Sequence, residues 1–153
     1  MASANTATRE RPERFVDPPV GDRVAFSARQ WRGRLTPTEF HVLREEGTER
    51  AYSGAFHANH APGLYRCAGC GAPLFTSTDK FDSHTGWPSY TRPVAPGRVA
   101  TRSDSSLGTL RTEVHCARCG GHLGHIFPDG PLPTGQRYCI NAASLDFEPQ
   151  PSL

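Results

Sequence analysis

The sequence predicts a mainly β domain of antiparallel strands, preceded by one short helix. Beyond Gly47, short runs of β-favouring residues alternate with glycine- and proline-rich stretches, a spacing typical of strands joined by turns. Residues 110–115 alternate between Leu, Thr or Val and charged or histidine side chains, as a half-buried strand does. A chain of 153 residues suits a single domain.

The two ends of the chain are expected to lie outside this domain. Residues 1–30 are predicted to form an extended arm, because prolines lie among charged residues without any sustained period. The polar, basic start is compatible with a transit peptide, but Glu10 and Glu13 favour a disordered arm. The ordered domain is expected over residues 31–147, and residues 148–153 are expected to fray.

The helix is predicted to begin at Thr36. Thr36 is suited to cap the first turn, Pro37 fits the first helical position, and Glu39 has the spacing to return to the cap amide. A helix of about three turns should follow and end near Gly47.

Four segments after the helix are predicted to be strands. They are residues 63–66, 97–101, 110–115 and 137–141. In the last of these, odd-numbered residues should share one face and even-numbered residues should point to the core.

Composition excludes some classes of function. The net charge is only +2, and the 17 Lys and Arg residues are scattered, which argues against binding nucleic acid or a membrane surface. No apolar run approaches the roughly 18 residues of a membrane span. Paired cysteines with one left over favour a reducing compartment, so we expect a cytoplasmic protein. We also expect a monomer.

Four of the five cysteines form two Cys-x-x-Cys-Gly turns and predict a metal site. Cys67 pairs with Cys70 in one turn, and Cys116 pairs with Cys119 in the other. Two redox dithiols or disulfides, or a cluster without metal, are the alternatives. Zinc is favoured over iron because nothing else in the chain indicates electron transfer. One structural Zn²⁺ is therefore expected.

The fifth cysteine, Cys139, is the candidate nucleophile. The period of a strand over residues 137–141 places its thiol between Arg137 and Asn141 on one face. A nearby cation favours the reactive thiolate. The alternative is an inert buried cysteine.

Two imidazoles lie three residues apart, at His122 and His125. Gly124 between them would allow the chain to bend so that both point the same way. They are candidates for acid–base chemistry. The alternatives are metal ligation, which four thiolates already satisfy, and solvated loop histidines.

An aromatic candidate lies in the segment around Trp87. Pro88 biases Trp87 towards an extended conformation, and Gly86 leaves room for the indole ring. Trp87 would wall a small apolar pocket if it does not simply pack in the core.

Together these segments resemble the B-type methionine sulfoxide reductases, which reduce the R epimer of methionine sulfoxide. The resemblance covers roughly residues 31–147. It rests on eight ordered motifs, namely Gly47-Thr48-Glu49, both cysteine turns, Lys80-Phe81-Asp82-Ser83, Gly86-Trp87-Pro88-Ser89, His122-Leu123-Gly124-His125, Phe127-Pro128-Asp129-Gly130-Pro131 and Arg137-Tyr138-Cys139-Ile140-Asn141.

The resemblance implies two antiparallel β-sheets in a tent-like arrangement, with zinc held away from the active site. It also implies the roles of individual residues. Cys139 matches the nucleophile, Trp87 the wall for the S-methyl group, His122, His125 and Asn141 the polar groups around the sulfoxide, and Asp129 and Arg137 their support.

The implied reaction makes the protein an oxidoreductase acting on a sulfur group. Cys139 would take the sulfoxide oxygen and become a sulfenic acid. Many members of the family carry a second, resolving cysteine directly before Gly-Trp-Pro-Ser, where this chain has Thr85. We therefore expect an external thiol, either thioredoxin or a small thiol, to complete the cycle. Oxidised proteins or peptides, and free methionine sulfoxide, are the expected substrates, in protein repair under oxidative stress.

Two other functions would each account for part of the sequence. A zinc-ribbon binding module would account for the cysteine turns but not for Trp87, the histidines or Cys139. A thiol hydrolase would use Cys139 and a histidine, but no segment marks an oxyanion hole.

Overall fold

The computed structural model describes Pro19, residues 21–106 and residues 108–150. None of the helices in these ranges is long and apolar enough to cross a lipid bilayer. The elements in chain order are α1 (Ala28–Arg34), α2 (Pro37–Arg44), β1 (Gly63–Cys67), β2 (Pro73–Thr76), β3 (Lys80–Phe81), β4 (Ser89–Tyr90), β5 (Val99–Asp104), β6 (Arg111–Cys116), β7 (His122–Phe127), β8 (Arg137–Ile140) and β9 (Leu145–Pro149), with 3-10 turns at Ser77–Asp79 and Ala142–Ser144.

The strands form two antiparallel sheets, which confirms the predicted fold class. The smaller sheet has the strand order β2-β1-β9, and the larger has the order β3-β4-β8-β7-β6-β5. Strand β8, which carries Cys139, therefore lies inside the larger sheet, between β4 and β7. A central strand has both edges paired, so the backbone that carries the thiol is held on two sides.

One apolar core joins the two sheets. Tyr65 and Phe75 come from the small sheet, and Tyr90 and Ile140 come from the large one. The rings of Phe75 and Tyr90 are stacked with their centroids 4.4 Å apart, and Tyr65 meets Tyr90 edge-on at 5.3 Å. Such aromatic pairs add to the stabilisation that burial alone provides. Ile140 lies on the core side of β8, as its even position predicts.

Helix α2 begins as predicted but is shorter. The Thr36 hydroxyl accepts a hydrogen bond from the Glu39 amide, and the Glu39 carboxylate accepts one from the Thr36 amide at 2.9 Å. The helix ends at Arg44 after about two turns. Glu46 then adopts the left-handed conformation, with φ of 56°, and the Gly47 amide donates to the His41 carbonyl. The predicted length of three turns is wrong because this reversal comes before Gly47.

Both predicted ends of the domain lie inside ordered elements. Helix α1 spans the expected boundary at residue 30, and its Ser27–Gln30 capping box is a signal that the sequence carried. At the other end, β9 continues through Glu148 and Pro149, which pair with β1. The expected fraying is thus wrong for these two residues, since backbone hydrogen bonds hold them. Residues 1–18, 20 and 151–153 lie outside the described part of the chain.

The predicted strands all exist, with shifted ends. Strand β6 runs one residue later than expected, because Leu110 is 74 % exposed and stays outside the sheet. Strand β5 starts at Val99 and continues to Asp104. This extension brings the Asp104 carboxylate to the large sheet, where it matters for the site described below.

Candidate active site and metal centre

The two cysteine turns are equivalent hairpin connections, one in each sheet. The first joins β1 to β2, and the second joins β6 to β7. In each turn the glycine after the second cysteine has a positive φ, of 83° at Gly71 and 76° at Gly120, and its amide donates to the carbonyl of the first cysteine. Only glycine adopts this conformation without steric cost, which explains the shared Cys-x-x-Cys-Gly pattern.

The four sulfur atoms have the spacing of a tetrahedral metal site. The Sγ atoms of Cys67 and Cys119 are 3.7 Å apart, and those of Cys70 and Cys116 are 3.6 Å apart. All four lie within 4.8 Å of one another. Sulfurs about 2.3 Å from a central zinc ion would be separated by roughly 3.8 Å, so the set fits such an ion. A disulfide needs sulfurs about 2.0 Å apart, so the disulfide alternative is wrong, and all five cysteines are free.

Arginine side chains surround the cysteine turns and donate hydrogen bonds to their backbone carbonyls. Arg34 donates to the Gly69 carbonyl at 3.0 Å, Arg44 to the Cys119 carbonyl at 2.9 Å, and Arg118 to the Cys70 carbonyl at 2.6 Å. Four thiolates around one divalent ion leave a net negative charge, which nearby cations stabilise. The arginine side chains would therefore offset the charge of four thiolates on such an ion.

The candidate active site is a separate cleft of about 270 Å³ in the large sheet. It brings together five of the predicted residues, and none of the four clustered cysteines lines it. The lining residues are Thr48, Thr85, Trp87, Arg111, Gly124, His125, Phe127, Arg137, Cys139 and Asn141.

A larger hollow of about 570 Å³ lies on the other side of Glu49. Its walls come mainly from the start of α2, the 53–56 segment and the turn after β8. The described residues around it supply no thiol, imidazole or guanidinium group. The chemistry of the lining therefore favours the smaller cleft as the active site.

Cys139 lies between a hydroxyl and a guanidinium group in this cleft. Thr85 and Arg137 line the cleft beside the thiol. Burial raises the pKa of the thiol above its ordinary value, although Arg137 and Thr85 both act to lower it. The predicted effect of the cation exists, but desolvation outweighs it, so the resting group at neutral pH is the thiol.

A β-bulge brings the two histidines to neighbouring positions. Val114 pairs with Gly124 and His115 pairs with His122, so Leu123 is an extra residue on β7. Without it, residues three apart on a strand would point to opposite faces. The rings of His122 and His125 lie 5.5 Å apart, but only His125 lines the cleft.

Each histidine is held by its own carboxylate. Nε2 of His125 is 2.7 Å from Oδ2 of Asp104, and Nδ1 of His122 is 2.6 Å from Oε2 of Glu113. The bond from His125 holds the pKa of Asp104 well below its usual range. Burial acts to raise the pKa of Glu113, but hydrogen bonds from Arg102 and His122 bring it below its usual value. Both carboxylates are thus ionised and fix the ring orientations.

Glu49 ties the wall of the cleft to the turn after β8. Its carbonyl accepts the Trp87 indole N–H at 3.0 Å, and its amide donates to Oδ1 of Asn141 at 2.9 Å. Its carboxylate accepts the amides of Ala142 and Ala143, each at 2.9 Å. Burial raises the pKa of Glu49, and these amides oppose the rise. Trp87 and Asn141 are therefore held at fixed positions in the cleft.

Asp129 supports Arg137 from outside the cleft. Its two carboxylate oxygens accept hydrogen bonds from Arg137, one from Nε at 2.9 Å and one from a terminal guanidinium nitrogen at 3.2 Å. The guanidinium also lies over the Phe127 ring, 4.4 Å from its centroid. Arg137 reaches the cleft, whereas Asp129 and His122 do not line it.

Sequence reasoning missed Asp104, Glu113 and Arg111 as parts of the site. Glu113 had a weak signal, because a charged residue in an alternating strand beside a cysteine turn needs a partner if it is buried. Asp104 and Arg111 had none, since their ion pair and the contact of Asp104 with His125 depend on the register of β5, β6 and β7.

Gly124 lets β7 and β8 approach each other at the cleft, which leads to a prediction. A Cβ at this position would overlap the carbonyl oxygen of Cys139. We expect Gly124→Ala to destabilise the protein by about 3 kcal/mol, because backbone atoms must move. Denaturant unfolding measures this change. Gly33→Ala, where a Cβ meets open space, is the control, and equal stability of the two variants would contradict the expectation.

The fold and the site define a mainly β enzyme, with a cleft lined by a thiol and an imidazole and a separate four-cysteine cluster that has the spacing of a metal site. The chain belongs to the SelR domain family, whose model matches residues 35–149.

Curated relatives from several bacteria carry the same name, peptide methionine sulfoxide reductase MsrB. The Agrobacterium fabrum protein is 57 % identical over 127 residues, which cover 83 % of this chain and 94 % of the relative. The Thiobacillus denitrificans protein is 57 % identical over 121 residues, covering 79 % and 92 %. The Synechococcus protein is 52 % identical over 133 residues, covering 87 % and 98 %. The match extends over nearly the whole length of each relative.

Proposed function

We propose that this protein reduces methionine-R-sulfoxide to methionine with the Cys139 thiol as nucleophile. The observation that carries the proposal is the cleft itself, in which Cys139, His125 and Trp87 line about 270 Å³. This is enough for a side chain the size of methionine sulfoxide, not for a large cofactor. The names of the relatives support the same reaction.

The cleft supplies the groups that sulfoxide reduction needs. A sulfoxide sulfur is a poor electrophile until its oxygen is protonated or hydrogen-bonded, so a positioned acid must accompany the thiol. His125 is our candidate for the acid, because it lines the cleft beside Cys139 while His122 does not. Trp87 would receive the S-methyl group, and Arg137 and Asn141 complete the polar surroundings.

The chemical step transfers one oxygen atom. The Cys139 thiolate bonds to the sulfoxide sulfur while the acid protonates the sulfoxide oxygen. The protonated oxygen then moves to the Cys139 sulfur as the bonds from the methionine sulfur to oxygen and to Cys139 both break. Methionine leaves reduced by two electrons, and Cys139 becomes a sulfenic acid.

Regeneration requires an external thiol. The other four cysteines lie in the cluster, and Thr85 rather than a second cysteine lines the cleft beside Cys139. A first external thiol would displace water from the sulfenic acid to form a mixed disulfide, and a second thiol would release Cys139. We propose thioredoxin or a small thiol as this reductant.

The four clustered cysteines are proposed to hold one structural Zn²⁺. Four thiolates saturate a tetrahedral ion and leave no open position for a substrate. The metal would supply stability rather than chemistry. We further propose that the protein acts as a cytoplasmic monomer on oxidised proteins and peptides.

A stereospecific assay tests the proposed function. Dabsylated R and S methionine sulfoxide would be incubated with the protein and dithiothreitol, and then with thioredoxin and its reductase. We expect reduction of the R epimer alone. Turnover of an ester or amide instead would favour a thiol hydrolase, and partner binding without any turnover would favour a binding module.

The two histidines should differ in their effect on turnover. We expect His125→Asn to lower kcat/KM about 100-fold or more, as loss of a general acid does. His122→Asn should have a smaller effect, since His122 acts from outside the cleft. Steady-state reduction of the R epimer measures both. A larger loss in His122→Asn than in His125→Asn would reverse the assignment.

A further inference from the structure

Three hydroxyl groups form a chain that leads away from Cys139. The Thr85 hydroxyl lines the cleft beside the thiol. It lies 2.7 Å from the Ser83 hydroxyl, which lies 2.8 Å from the Ser89 hydroxyl. Ser89 is fully buried and lies 3.2 Å from the Trp87 carbonyl oxygen. The chain therefore starts at the reactive sulfur and ends at a group that only accepts hydrogen bonds.

The number of protons fixes the direction of the chain when Cys139 is a thiol. Each hydroxyl has one proton to donate. If Ser89 donates to the Trp87 carbonyl, Ser83 must donate to Ser89, and Thr85 must donate to Ser83. The oxygen of Thr85 then accepts the proton of the Cys139 thiol, and every close contact has a donor.

Loss of the thiol proton reverses this direction. A thiolate only accepts, so Thr85 must turn its proton to the sulfur. Ser83 then donates to Thr85, and Ser89 donates to Ser83, while the long contact with the Trp87 carbonyl is given up. Rotation of three hydroxyl groups is enough, and no heavy atom needs to move. A donor that itself accepts a hydrogen bond is also a stronger donor.

We propose that Thr85, backed by Ser83 and Ser89, is a positioning residue that stabilises the Cys139 thiolate through this reversible hydroxyl chain. The inference rests on the proposed function only in treating the thiolate as the reacting form. It gives Thr85 a task of its own at the place where a resolving cysteine would otherwise stand.

Arg137 also favours the thiolate, but it does so through its charge and not through the hydroxyl chain. Arg137 on β8, Arg111 on β6 and His125 on β7 line the cleft, and Glu49 acts on Cys139 from the loop after α2. These groups set the electrostatic potential at the sulfur. Strand β4 pairs directly with Cys139 and contributes the Ser89 hydroxyl, which carries no charge. The contribution of Thr85 can therefore be separated by substitutions that leave every charge in place.

The test is the pH dependence of Cys139 alkylation in the metal-loaded protein. Iodoacetamide would be the probe, and the rate would be followed by mass spectrometry on the peptide that contains Cys139. We expect Thr85→Val to move the midpoint to higher pH and to make alkylation at pH 7 about tenfold slower. Thr85→Ser should restore the wild-type midpoint. A purely structural role would change the rate at high pH and leave the midpoint in place.

Ser83→Ala provides a second variant that leaves Thr85 in place. It should move the midpoint in the same direction by a smaller amount, about threefold in rate at pH 7. Ser77→Ala, which removes a half-buried hydroxyl outside the chain, is the control. Unchanged midpoints in both Thr85→Val and Ser83→Ala would overturn the inference. Alkylation needs no sulfoxide, so this result is independent of whether the proposed function holds.

Discussion

Cys139→Ser is expected to abolish reduction of methionine-R-sulfoxide while the fold and the bound metal are retained. An alcohol is far less ionised than a thiol at neutral pH and does not form a stable counterpart of the sulfenic acid. Activity should therefore fall to the level of the buffer blank, a loss of about three orders of magnitude or more. The assay with dabsylated R sulfoxide and dithiothreitol measures this loss.

The stability of this variant should change little, because Cys139 is only partly buried and touches none of the clustered cysteines. Metal content and thermal unfolding serve as the controls. Trapping with dimedone after one turnover should label Cys139 in the wild-type protein and nothing in the variant. Residual turnover close to that of the wild type would exclude Cys139 as the nucleophile.

Removal of the metal is expected to unfold the protein or loosen it severely. The sulfur pairs that meet in the cluster are 46 and 52 residues apart in the chain, so an ion bound there closes long loops. Because the two turns belong to different sheets, the ion would also fasten the sheets to each other. Structural zinc sites contribute roughly 10–16 kcal/mol of binding free energy, which exceeds the stability of most small domains.

Cys116→Ser tests this expectation with a matched control. The substitution removes one ligand, and circular dichroism should show loss of the β signal or a much lower Tm. Cys139→Ser is the same chemical change at a cysteine outside the cluster and should leave Tm nearly unchanged. Equal Tm values for the two variants, or an unchanged Tm in a verified metal-free sample, would refute the structural role of the metal.

The parts of this molecule that depend on local sequence could be predicted. The Thr36–Glu39 capping box, the two cysteine turns and the shared face of Arg137 and Cys139 all follow from short spacings. Helix α1 has an equally local signal in the capping box of Ser27 and Gln30. The sequence before Trp31 shows no sustained apolar period, so periodicity alone does not predict this helix.

The parts that depend on strand register could not be predicted. The bulge at Leu123 decides that His125, and not His122, lines the cleft. It exists only because one residue of β7 has no partner on β6. Asp104 on β5 reaches His125 on β7 from 21 residues earlier in the chain, across the intervening strand β6. The electrostatic balance at Cys139 also required the fold, since the degree of burial decides whether the nearby cation prevails.

The pairing of β1 with β9 sets the order in which the protein can be completed during synthesis. Arg66 on β1 forms an ion pair with Glu148 on β9, 82 residues later in the chain, at 2.8 Å. The small sheet therefore stays unfinished, with an open edge on β1, until β9 has left the ribosome. Strand β8 comes just before β9, so Cys139 is synthesised after both cysteine turns. A nascent chain stalled before β8 would carry the cysteine turns but no active site.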